Sequence, residues 1–509
     1  MSAGRTGQAE RVERDDAPVD GASEGVTWDP VAFWARTQPD RVAIRVGEER
    51  WTYARLEEAV TEAAVSLFQQ GLISGEHVSL EFGAEQGLHF AATLHALHRA
   101  ELLPVPIAQI LSEPERVILR RRAHVDVALT ATPEPATAAS PPRGRALKPP
   151  PFTRRLDAPA AILFTSGTEG APRAVVLTHK NFFWSALASA RNLGVRADDL
   201  WLSCLPLHHI GGLSVLTRSA YYGTSVLIHD RFDPDAVNRA IDREGVTLVS
   251  LVPPMLGRLL ETRGGRPFPE SLRAALVGGG PAPEPLLRRA AELRLRALPS
   301  YGMTETTSQV TTLSPRDWPA GLDTVGRPLP FVGVEVRDSG GRALGPGEEG
   351  AIFVRGPMVA EAYFDDPDQN LAAFDRRWLR TGDFGAWDEA GRLRILDRRG
   401  DRMVVGGENV SPLEVEEALA RHPAVAEVVV VALPAGAWGH EVAAVVVCRP
   451  GLTVTLEDLR EHAGKTLAPF KLPRRLQVLD ALPRNSAGKL LRSEIRSRLA
   501  EEMAGKDRA

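Results

Sequence analysis

The sequence predicts an α/β fold, with a large N-terminal domain of layered sheets and helices and a small α+β C-terminal domain. Apolar patterns of helix and strand period alternate through about the first 400 residues, which favours parallel sheets covered by helices. After Asp397 the pattern changes to a compact segment of its own. We therefore expect a tail over residues 1–25, a large domain over 26–399 and a small domain over 400–509.

The composition is that of an ordinary globular protein. The chain has 509 residues, of which 43% are hydrophobic, so it has ample material for large cores. The net charge is −4 with dispersed basic residues, which gives no indication of nucleic-acid binding. Cys204 and Cys448 are the two cysteines, so we expect neither disulfides nor a zinc site. The longest apolar runs are too short to span a bilayer, and we expect a cytoplasmic protein.

Individual elements follow from local patterns. Residues 1–25 are polar and charged, which predicts a disordered tail without a secretory signal. The Pro- and Ala-rich stretch 132–151 predicts an irregular connection. Apolar runs predict strands over 162–164, 225–228, 247–252 and 274–277. In the last part of the chain we expect a helix over 412–421, strands over 425–432 and 442–448, and a helix over 456–467.

A loop of small hydroxylated residues and glycines follows the strand at 162–164, and it reads Thr165, Ser166, Gly167, Thr168, Glu169, Gly170. Glycine permits positive φ and close approach, so such a loop can turn backbone N–H groups and hydroxyls onto one anion. Its spacing differs from G-x-x-x-x-G-K-[ST], which excludes a Walker loop. Taken alone, a loop of this composition indicates an ordinary surface turn more than an anion site.

Four more motifs follow in order along the chain: SYGMTETTS (300–308), RTGDFG (380–385), LDRRGDRMVVGGENVSPLEVEEAL (396–419) and PRNSAGKLLR (483–492). Together with the loop they resemble the acyl-adenylating superfamily of acyl- and aryl-CoA ligases, luciferases and peptide-synthetase adenylation domains. The resemblance covers nearly everything from Val26 to Leu499. It implies that ATP and Mg²⁺ convert a carboxylate to acyl-AMP, that CoA then accepts the acyl group, and that the small domain is mobile and rotates over the large one.

The resemblance assigns roles to the nucleotide-binding residues. Tyr301 matches the aromatic residue that stacks on adenine, Thr304 the α-phosphate hydroxyl, and Glu305 the Mg²⁺ carboxylate. Asp383 matches the acid that accepts both ribose hydroxyls, and Arg398 the arginine near the ribose or phosphate. Ordinary structural alternatives are a helix cap at Thr304 and a turn at Asp383. Further ATP or AMP contacts are expected at Thr165, Ser166, Gly167, Thr168, Gly170, Arg173, Gly278, Gly279, Gly280, Gly302 and Ile395.

Two departures from the usual TSGTTGxPKG pattern lie in the phosphate loop. Glu169 stands where Thr or Ser is usual, and Arg173 with Ala174 replaces Lys-Gly. An acid beside a triphosphate is unfavourable unless it points outward or shares the metal. Arg173 preserves the positive charge. The three glycines 278–280 would let the backbone pass flat against adenine, although a tight turn has the same composition.

Three predicted roles concern the small domain. Lys489 matches the lysine that bridges the substrate carboxylate and the α-phosphate during adenylation and then moves away. Gly406 and Gly407 match the hairpin that lines the pantetheine tunnel. Gly400 stands at the hinge, where the family has Asp, Lys or Ser; glycine suits a residue that must change φ and ψ, and a plain turn is the alternative.

Residues 205–241 resemble o-succinylbenzoate–CoA ligases of menaquinone synthesis more than fatty acyl-CoA synthetases. His209 matches the histidine at the wall of the acyl pocket, and Ser300 and Thr304 are expected to contact the substrate. No ligand cluster supports a metal site at the His208–His209 pair. Arg218, on a mostly apolar helix, is expected to bind the second carboxylate of a diacid. The alternatives are pairing with a structural acid, such as Asp230 or Asp233, or an extended side chain that reaches the surface.

The sequence leaves other functions open. One is another aryl- or acyl-CoA ligase for a benzoate, a cinnamate or a fatty acid, because apolar pockets discriminate weakly. Another is a non-catalytic acyl-adenylate-binding protein, which the retention of Glu305, Asp383, Arg398 and Lys489 disfavours. A stand-alone peptide-synthetase domain is disfavoured because no carrier domain follows residue 509. The expected partners are the acid, ATP and CoA, with no nucleic acid and no membrane insertion, and a homodimer is left open.

Overall fold

The computed structural model describes residues 25–133, 153–165, 172–398, 403–405, 408–435, 440–484 and 490–506. The expected disordered tail, apart from Gly25, and most of the connection expected over 132–151 lie outside these residues. Within the described ranges, no helix is long and apolar enough to cross a membrane.

The helices are short to medium in length and are spread along the whole chain. They are α1 (Pro30–Thr37), α2 (Tyr53–Gln69), α3 (Gly87–Arg99), α4 (Glu113–Arg122), α5 (His179–Leu193), α6 (Ile210–Tyr222), α7 (Pro234–Arg243), α8 (Pro253–Arg263), α9 (Glu284–Glu292), α10 (Pro367–Ala373), α11 (Pro412–Ala420), α12 (Leu456–Ala463) and α13 (Arg492–Lys506).

Short strands alternate with these helices up to α9 and dominate the chain between residues 297 and 448. They are β1 (Val26–Trp28), β2 (Val42–Val46), β3 (Glu49–Thr52), β4 (His77–Leu80), β5 (Leu103–Pro106), β6 (Val127–Leu129), β7 (Thr153–Arg155), β8 (Pro159–Thr165), β9 (Arg173–Thr178), β10 (Leu200–Ser203), β11 (Ser225–Ile228), β12 (Leu248–Leu251), β13 (Ala274–Val277), β14 (Ala297–Tyr301), β15 (Thr311–Thr312), β16 (Arg327–Pro328), β17 (Gly333–Arg337), β18 (Glu349–Arg355), β19 (Phe374–Asp375), β20 (Trp378–Trp387), β21 (Leu393–Arg398), β22 (Met403–Val405), β23 (Glu408–Val410), β24 (Val425–Pro434), β25 (His440–Cys448) and β26 (Arg475–Val478).

The largest sheet has nine strands in the order β16-β15-β14-β13-β12-β10-β11-β2-β3. Neighbours from β14 to β2 are parallel, whereas the pairings at both edges are antiparallel. Every residue of β12 and β13 is buried, as expected for parallel strands covered on both faces. The predicted α/β class with parallel sheets is therefore confirmed.

Several smaller sheets accompany the large one, among them the antiparallel pair of β1 and β7. Strands β5, β4 and β6 form a parallel sheet, and β8 pairs with β9 as an antiparallel hairpin. Strands β17, β18, β20 and β19 form an antiparallel sheet, with β21 added on β20. After the break at residues 399–402, β24, β25 and β26 form the last three-stranded sheet, and β22 pairs with β23. This last part has the mixed α+β character that the sequence predicts.

Helix α6 is the element that positions the predicted acyl pocket. It begins after His209 and ends at Gly223, whose φ of 67° is the left-handed conformation that glycine favours at a helix end. All its residues from Gly212 to Ala220 are buried. A helix that is buried all round lies inside the domain, so any charged residue on it must find its partners there.

Some predicted boundaries were wrong. Helix α12 ends at Ala463 and not at residue 467, because Gly464 follows and glycine is a poor helix former. Strand β25 begins at His440 and not at residue 442, because the ladder with β24 continues to the pair Pro434–His440. The strands predicted over 225–228 and 274–277 are confirmed with the same bounds.

Candidate active site

The β8–β9 hairpin fixes both ends of the predicted phosphate loop. Thr165 ends β8, Arg173 begins β9, and the two residues are opposite each other in the antiparallel ladder. The described residues do not include Ser166, Gly167, Thr168, Glu169 and Gly170. The attachment points are therefore known, and the contacts of the loop stay a prediction.

The SYGMTETTS motif begins at the end of β14. Ser300 and Tyr301 end the strand, and Thr304 opens a short 3₁₀ turn. The Met303 amide donates to Thr306 Oγ1 at 3.0 Å, so the side chain that caps this turn belongs to Thr306. The Thr304 hydroxyl makes no hydrogen bond with any described residue. The alternative role of Thr304 as a helix cap is therefore wrong, and its hydroxyl is available to a ligand.

Glycines allow a close approach of backbone segments next to this motif. A Cβ atom on Gly302 would lie 1.5 Å from the carbonyl oxygen of Ser308, so no other residue fits there. Gly279 has φ of +77°, and a Cβ atom on Gly278 would lie 3.3 Å from the Ser300 carbonyl oxygen. The glycines 278–280 thus run directly beside β14, where the sequence predicts the adenine.

The structure brings Tyr301 and Asp383 together. The Tyr301 hydroxyl donates a hydrogen bond to Asp383 Oδ2 at 2.7 Å. Asp383 lies on β20 opposite Arg398 of β21, of which only the backbone is described. Ile395 of β21 and Tyr301 pack against the same hydrophobic cluster. Four residues predicted to contact the nucleotide therefore lie on neighbouring elements.

Glu305 is a buried carboxylate that offers one oxygen to a ligand. It is 9% exposed, and its Oε1 accepts a hydrogen bond from the Tyr363 hydroxyl at 2.9 Å. Among the described residues, Oε2 has no hydrogen-bond partner, and no group of three His, Cys, Asp or Glu side chains could hold a metal. Mg²⁺ commonly takes one or two carboxylates and completes its shell with phosphate oxygens and water. Glu305 therefore fits the predicted magnesium ligand.

His208 and His209 lie at the start of α6 with ring centroids 4.4 Å apart. The Nε2 atoms of both rings are buried and have no hydrogen-bond partner among the described residues. Burial lowers the pKa of His209 to about 4, and burial together with the neighbouring His209 lowers the pKa of His208 to about 3. Both rings are therefore neutral near pH 7 and suit the wall of an aromatic pocket.

Arg218 is a buried arginine for which the described residues supply no acidic partner. Its residue is 2% exposed, and its Nη2 donates to Ser185 Oγ at 3.0 Å. Ser185 Oγ in turn donates to the carbonyl oxygen of Thr307 at 2.7 Å, which links Arg218 to the SYGMTETTS motif. Arg218 Nε is buried without a partner, and no carboxylate in the described part of the chain pairs with this residue. Burial lowers the pKa of its guanidinium.

Within the described residues, the structure supports neither ordinary explanation for Arg218. The side chain does not reach the surface, since it is buried. It does not pair with Asp233, whose Oδ1 accepts from the Ala236 amide at 2.7 Å at the start of α7, or with Asp230. An unpaired buried cation is costly, so the lack of a carboxylate partner among the described residues is consistent with the predicted binding of a ligand carboxylate.

Sequence reasoning missed two buried polar residues at the site. Gln309 directly follows the SYGMTETTS motif; its Nε2 donates to Thr312 Oγ1 at 3.0 Å, while its Oε1 is buried without a partner among the described residues. Tyr363 lies in a stretch that had no recognised motif. The position of Gln309 next to the motif was a signal that could have found it, whereas Tyr363 is identified only by its contact with Glu305.

Several predicted residues of the small domain lie outside the described residues. These are Gly400, Gly406, Gly407 and Lys489. Lys489 is flanked by Arg484 and Leu490, which form an isolated antiparallel bridge. The roles of these residues stay predictions from the sequence.

Comparison with known proteins decides the family. The model of the AMP-binding enzyme family matches residues 31–364, and that of the AMP-binding enzyme C-terminal domain matches residues 414–489. The chain belongs to the AMP-binding enzyme family. The matched region of this family includes the hairpin, the glycines 278–280, the SYGMTETTS motif and α6.

Two ligases from Bacillus are similar in sequence to this chain over most of its length. A 2-succinylbenzoate–CoA ligase of Bacillus cereus is 38% identical over 472 residues, which is 91% of this chain and 97% of the relative. A 2-succinylbenzoate–CoA ligase of Bacillus anthracis is 37% identical with the same coverage.

Solved structures of the family share the fold. The o-succinylbenzoate CoA synthetase of Bacillus subtilis in complex with its acyl-adenylate intermediate has a TM-score of 0.84 and 35% identity, and covers 92% of this chain and 98% of that one. The same synthetase has been solved with ATP and a magnesium ion, also with a TM-score of 0.84. MatB from Rhodopseudomonas palustris bound to ATP has a TM-score of 0.81 and 26% identity, and covers 93% of this chain and 99% of that one.

Proposed function

We propose that the chain is a ligase that adenylates o-succinylbenzoate and transfers the acyl group to CoA, with o-succinylbenzoyl-CoA, AMP and pyrophosphate as products. The observation that supports the choice of acid is Arg218, a buried arginine next to the SYGMTETTS motif that pairs with no carboxylate among the described residues. o-Succinylbenzoate has two carboxylates, and only the aliphatic one is activated. The ring carboxylate must still be desolvated, and a guanidinium fork is well suited to bind it. The similar ligases of Bacillus support the same choice.

The first half-reaction requires two anions to meet. An oxygen of the aliphatic carboxylate attacks the α-phosphorus, and the bond from that phosphorus to pyrophosphate breaks. Catalysis then rests mainly on position and on stabilisation of charge. We assign the α-phosphate contact to the Thr304 hydroxyl, which no described residue occupies, and the bridging cation to Lys489. The loop between Thr165 and Arg173 holds the outer phosphates.

We assign separate residues to the binding of the nucleoside and of the metal. We place adenine between Tyr301 and the glycines 278–280, and ribose on Asp383 with Arg398 nearby. The Tyr301 hydroxyl holds Asp383 Oδ2, which keeps the carboxylate oriented for the ribose. Glu305 would hold Mg²⁺, which would neutralise charge on the phosphates.

In the second half-reaction, the CoA sulfur attacks the acyl carbon, the bond to AMP breaks, and the thiol proton leaves. We propose that residues 400–509 rotate over residues 26–399 between the two steps, with Gly400 as the hinge and Gly406 and Gly407 along the pantetheine tunnel. His209, neutral near pH 7 because burial lowers its pKa to about 4, lines the acyl pocket between the two sites. Ser300 also borders the substrate.

Replacement of Gly400 by proline is expected to slow thioester formation more than adenylation. Proline fixes φ near about −65° and therefore favours one orientation of the small domain. Single-turnover assays of each half-reaction, started from ATP or from isolated acyl-AMP, measure the two rates separately. Unchanged CoA kinetics in Gly400→Pro would show that the hinge lies elsewhere.

The function is tested by pyrophosphate release across a panel of acids, with and without CoA. We expect o-succinylbenzoate to give the highest kcat/KM, and 4-oxo-4-phenylbutanoate, which lacks only the ring carboxylate, to be much poorer. A preference for a benzoate, a cinnamate or a fatty acid would identify another acyl-CoA ligase. The absence of pyrophosphate with every acid, combined with tight binding of acyl-AMP, would indicate a non-catalytic binding protein.

We further propose a cytoplasmic location, and the possible homodimer stays a prediction. The location is supported by the substrates ATP and CoA and by the free thiols of Cys204 and Cys448. Light scattering of the purified chain tests the assembly.

A further inference from the structure

Residues 360–364 form a strap between the phosphate-loop hairpin and the SYGMTETTS motif. The Phe364 amide donates to the carbonyl oxygen of Ala174 at 2.8 Å, and Tyr363 forms an antiparallel bridge with Val175 of β9. At the other end of the strap, the Ala360 amide donates to the Glu305 carbonyl oxygen at 2.7 Å. The strap therefore joins the hairpin that carries the phosphate loop to the residue that we assign to the metal.

Tyr363 is the side chain that makes this connection. Its residue is 4% exposed, and its hydroxyl donates to Glu305 Oε1 at 2.9 Å. The Arg173 guanidinium lies 5.6 Å from the centre of its ring, within the range of a cation–π contact. Asn370 holds the backbone on both sides, because its Oδ1 accepts from the Tyr363 amide at 2.6 Å and its Nδ2 donates to the Tyr363 carbonyl oxygen at 2.9 Å.

The arrangement gives Tyr363 a function beyond filling space. A carboxylate on a short 3₁₀ turn can rotate about its side-chain bonds, and the hydroxyl removes this freedom by holding Oε1. The other oxygen, Oε2, which has no partner in the described part of the chain, is then presented in one direction. Hydrogen bonds of this kind to a metal-binding carboxylate commonly set its orientation and affinity.

We propose that Tyr363 is a positioning residue that orients Glu305 for the Mg²⁺·ATP complex, and that its ring also seats Arg173 at the base of the phosphate loop. The proposal rests on the assignment of Glu305 as the magnesium carboxylate. It also explains why arginine replaces the usual lysine at 173, since a planar guanidinium stacks on an aromatic face better than an ammonium group.

The test is Tyr363→Phe, which removes the hydroxyl and keeps the ring under Arg173. Binding of Mn²⁺ to the enzyme–ATP complex is measured by electron paramagnetic resonance, without any acid substrate. We expect the Mn²⁺ dissociation constant to rise roughly tenfold. Transfer from isolated acyl-AMP to CoA, which uses no ATP, should keep its rate.

The matched control is Tyr53→Phe. The Tyr53 hydroxyl is also buried and donates to the carbonyl oxygens of Ser219 and Thr224 at 3.2 and 3.0 Å, but it contacts no carboxylate. Both variants are expected to lower Tm, and only Tyr363→Phe is expected to weaken Mn²⁺ binding. Equal Mn²⁺ affinity in the two variants would overturn the proposal and leave Tyr363 with a structural role.

The variant Glu305→Gln tests the assignment of Glu305 to the metal independently of the role of Tyr363. If Tyr363 acts through Glu305, the double variant should bind Mn²⁺ no more weakly than Glu305→Gln alone. Additive losses would overturn the positioning role while leaving Glu305 as a ligand. Unchanged Mn²⁺ binding in Glu305→Gln itself would refute the metal assignment, and the inference with it.

Discussion

Arg218→Ala is expected to raise the KM for o-succinylbenzoate strongly and to leave the KM for ATP nearly unchanged. The guanidinium is buried, has no carboxylate partner in the described part of the chain, and is linked through Ser185 to Thr307. Loss of one member of a buried charge pair costs about 2–4 kcal/mol, which corresponds to roughly 30- to 700-fold in affinity. Steady-state kinetics and calorimetric binding of the diacid measure the effect.

A second buried arginine provides the control for Arg218. Arg263 of α8 is 3% exposed, and its Nη2 lies 2.8 Å from Asp242 Oδ1. Arg263→Ala should lower Tm, because it leaves Asp242 without that partner, and should leave the KM for the diacid unchanged. For 4-oxo-4-phenylbutanoate, Arg218→Ala and the wild type should differ little, since that acid has no ring carboxylate. Full affinity of Arg218→Ala for the diacid would return Arg218 to a structural role and reopen the choice of substrate.

The sequence predicted the central part of the fold well, because hydrophobic runs report burial directly. Strands β11 and β13 have the predicted bounds, since four consecutive apolar or small residues between turns leave little choice. Boundaries that depend on neighbours were predicted less well. The extension of β25 to His440 comes from its pairing with Pro434 of β24, and no local pattern encodes such a partner.

Site residues that lie within a recognised motif could be predicted from the sequence. Residues that belong to the site only through a contact in the folded structure were harder to predict. The pairing of Tyr301 with Asp383 joins residues from two separate motifs, each of which had been recognised. For Arg218 the sequence left pairing with an acid, exposure and substrate binding open, because a helical pattern does not tell which elements surround a side chain. Tyr363 was missed because its contact with Glu305 spans 58 residues and depends on the path of the strap.

Some buried polar atoms at the candidate site find no hydrogen-bond partner within the described ranges of the chain. Arg218 Nε, Gln309 Oε1 and His209 Nε2 are all buried and lack a partner among the described residues. Folded proteins rarely leave such atoms unpaired, because each one loses its hydrogen bond to water on burial. We propose that a polar aromatic acid satisfies these three, because a fatty acid offers no group for Arg218. Similar atoms also occur away from the site, for example in His95.

Lys489→Ala is expected to remove most of the adenylation activity while sparing transfer from preformed acyl-AMP to CoA. The lysine lies in the NSAGKLLR loop, which by its resemblance to the family should face the substrate in one domain orientation only. A lost charge-assisted contact costs about 1.5–3 kcal/mol, and more when it forms mainly in the transition state. We therefore expect the adenylation rate to fall by at least roughly 10- to 150-fold.

The adenylation and transfer rates of Lys489→Ala must be measured separately, because the expected effect is a loss of the first rate without a loss of the second. Burst-phase pyrophosphate release reports adenylation, and thioester formation from isolated acyl-AMP reports transfer. Lys465→Ala is the control, since Lys465 is an exposed lysine of the same small domain, outside the predicted site. A lysine that acts in only one orientation affects only the step that uses that orientation. An equal loss in both half-reactions would contradict the alternation and would point instead to a general effect of the substitution on the small domain.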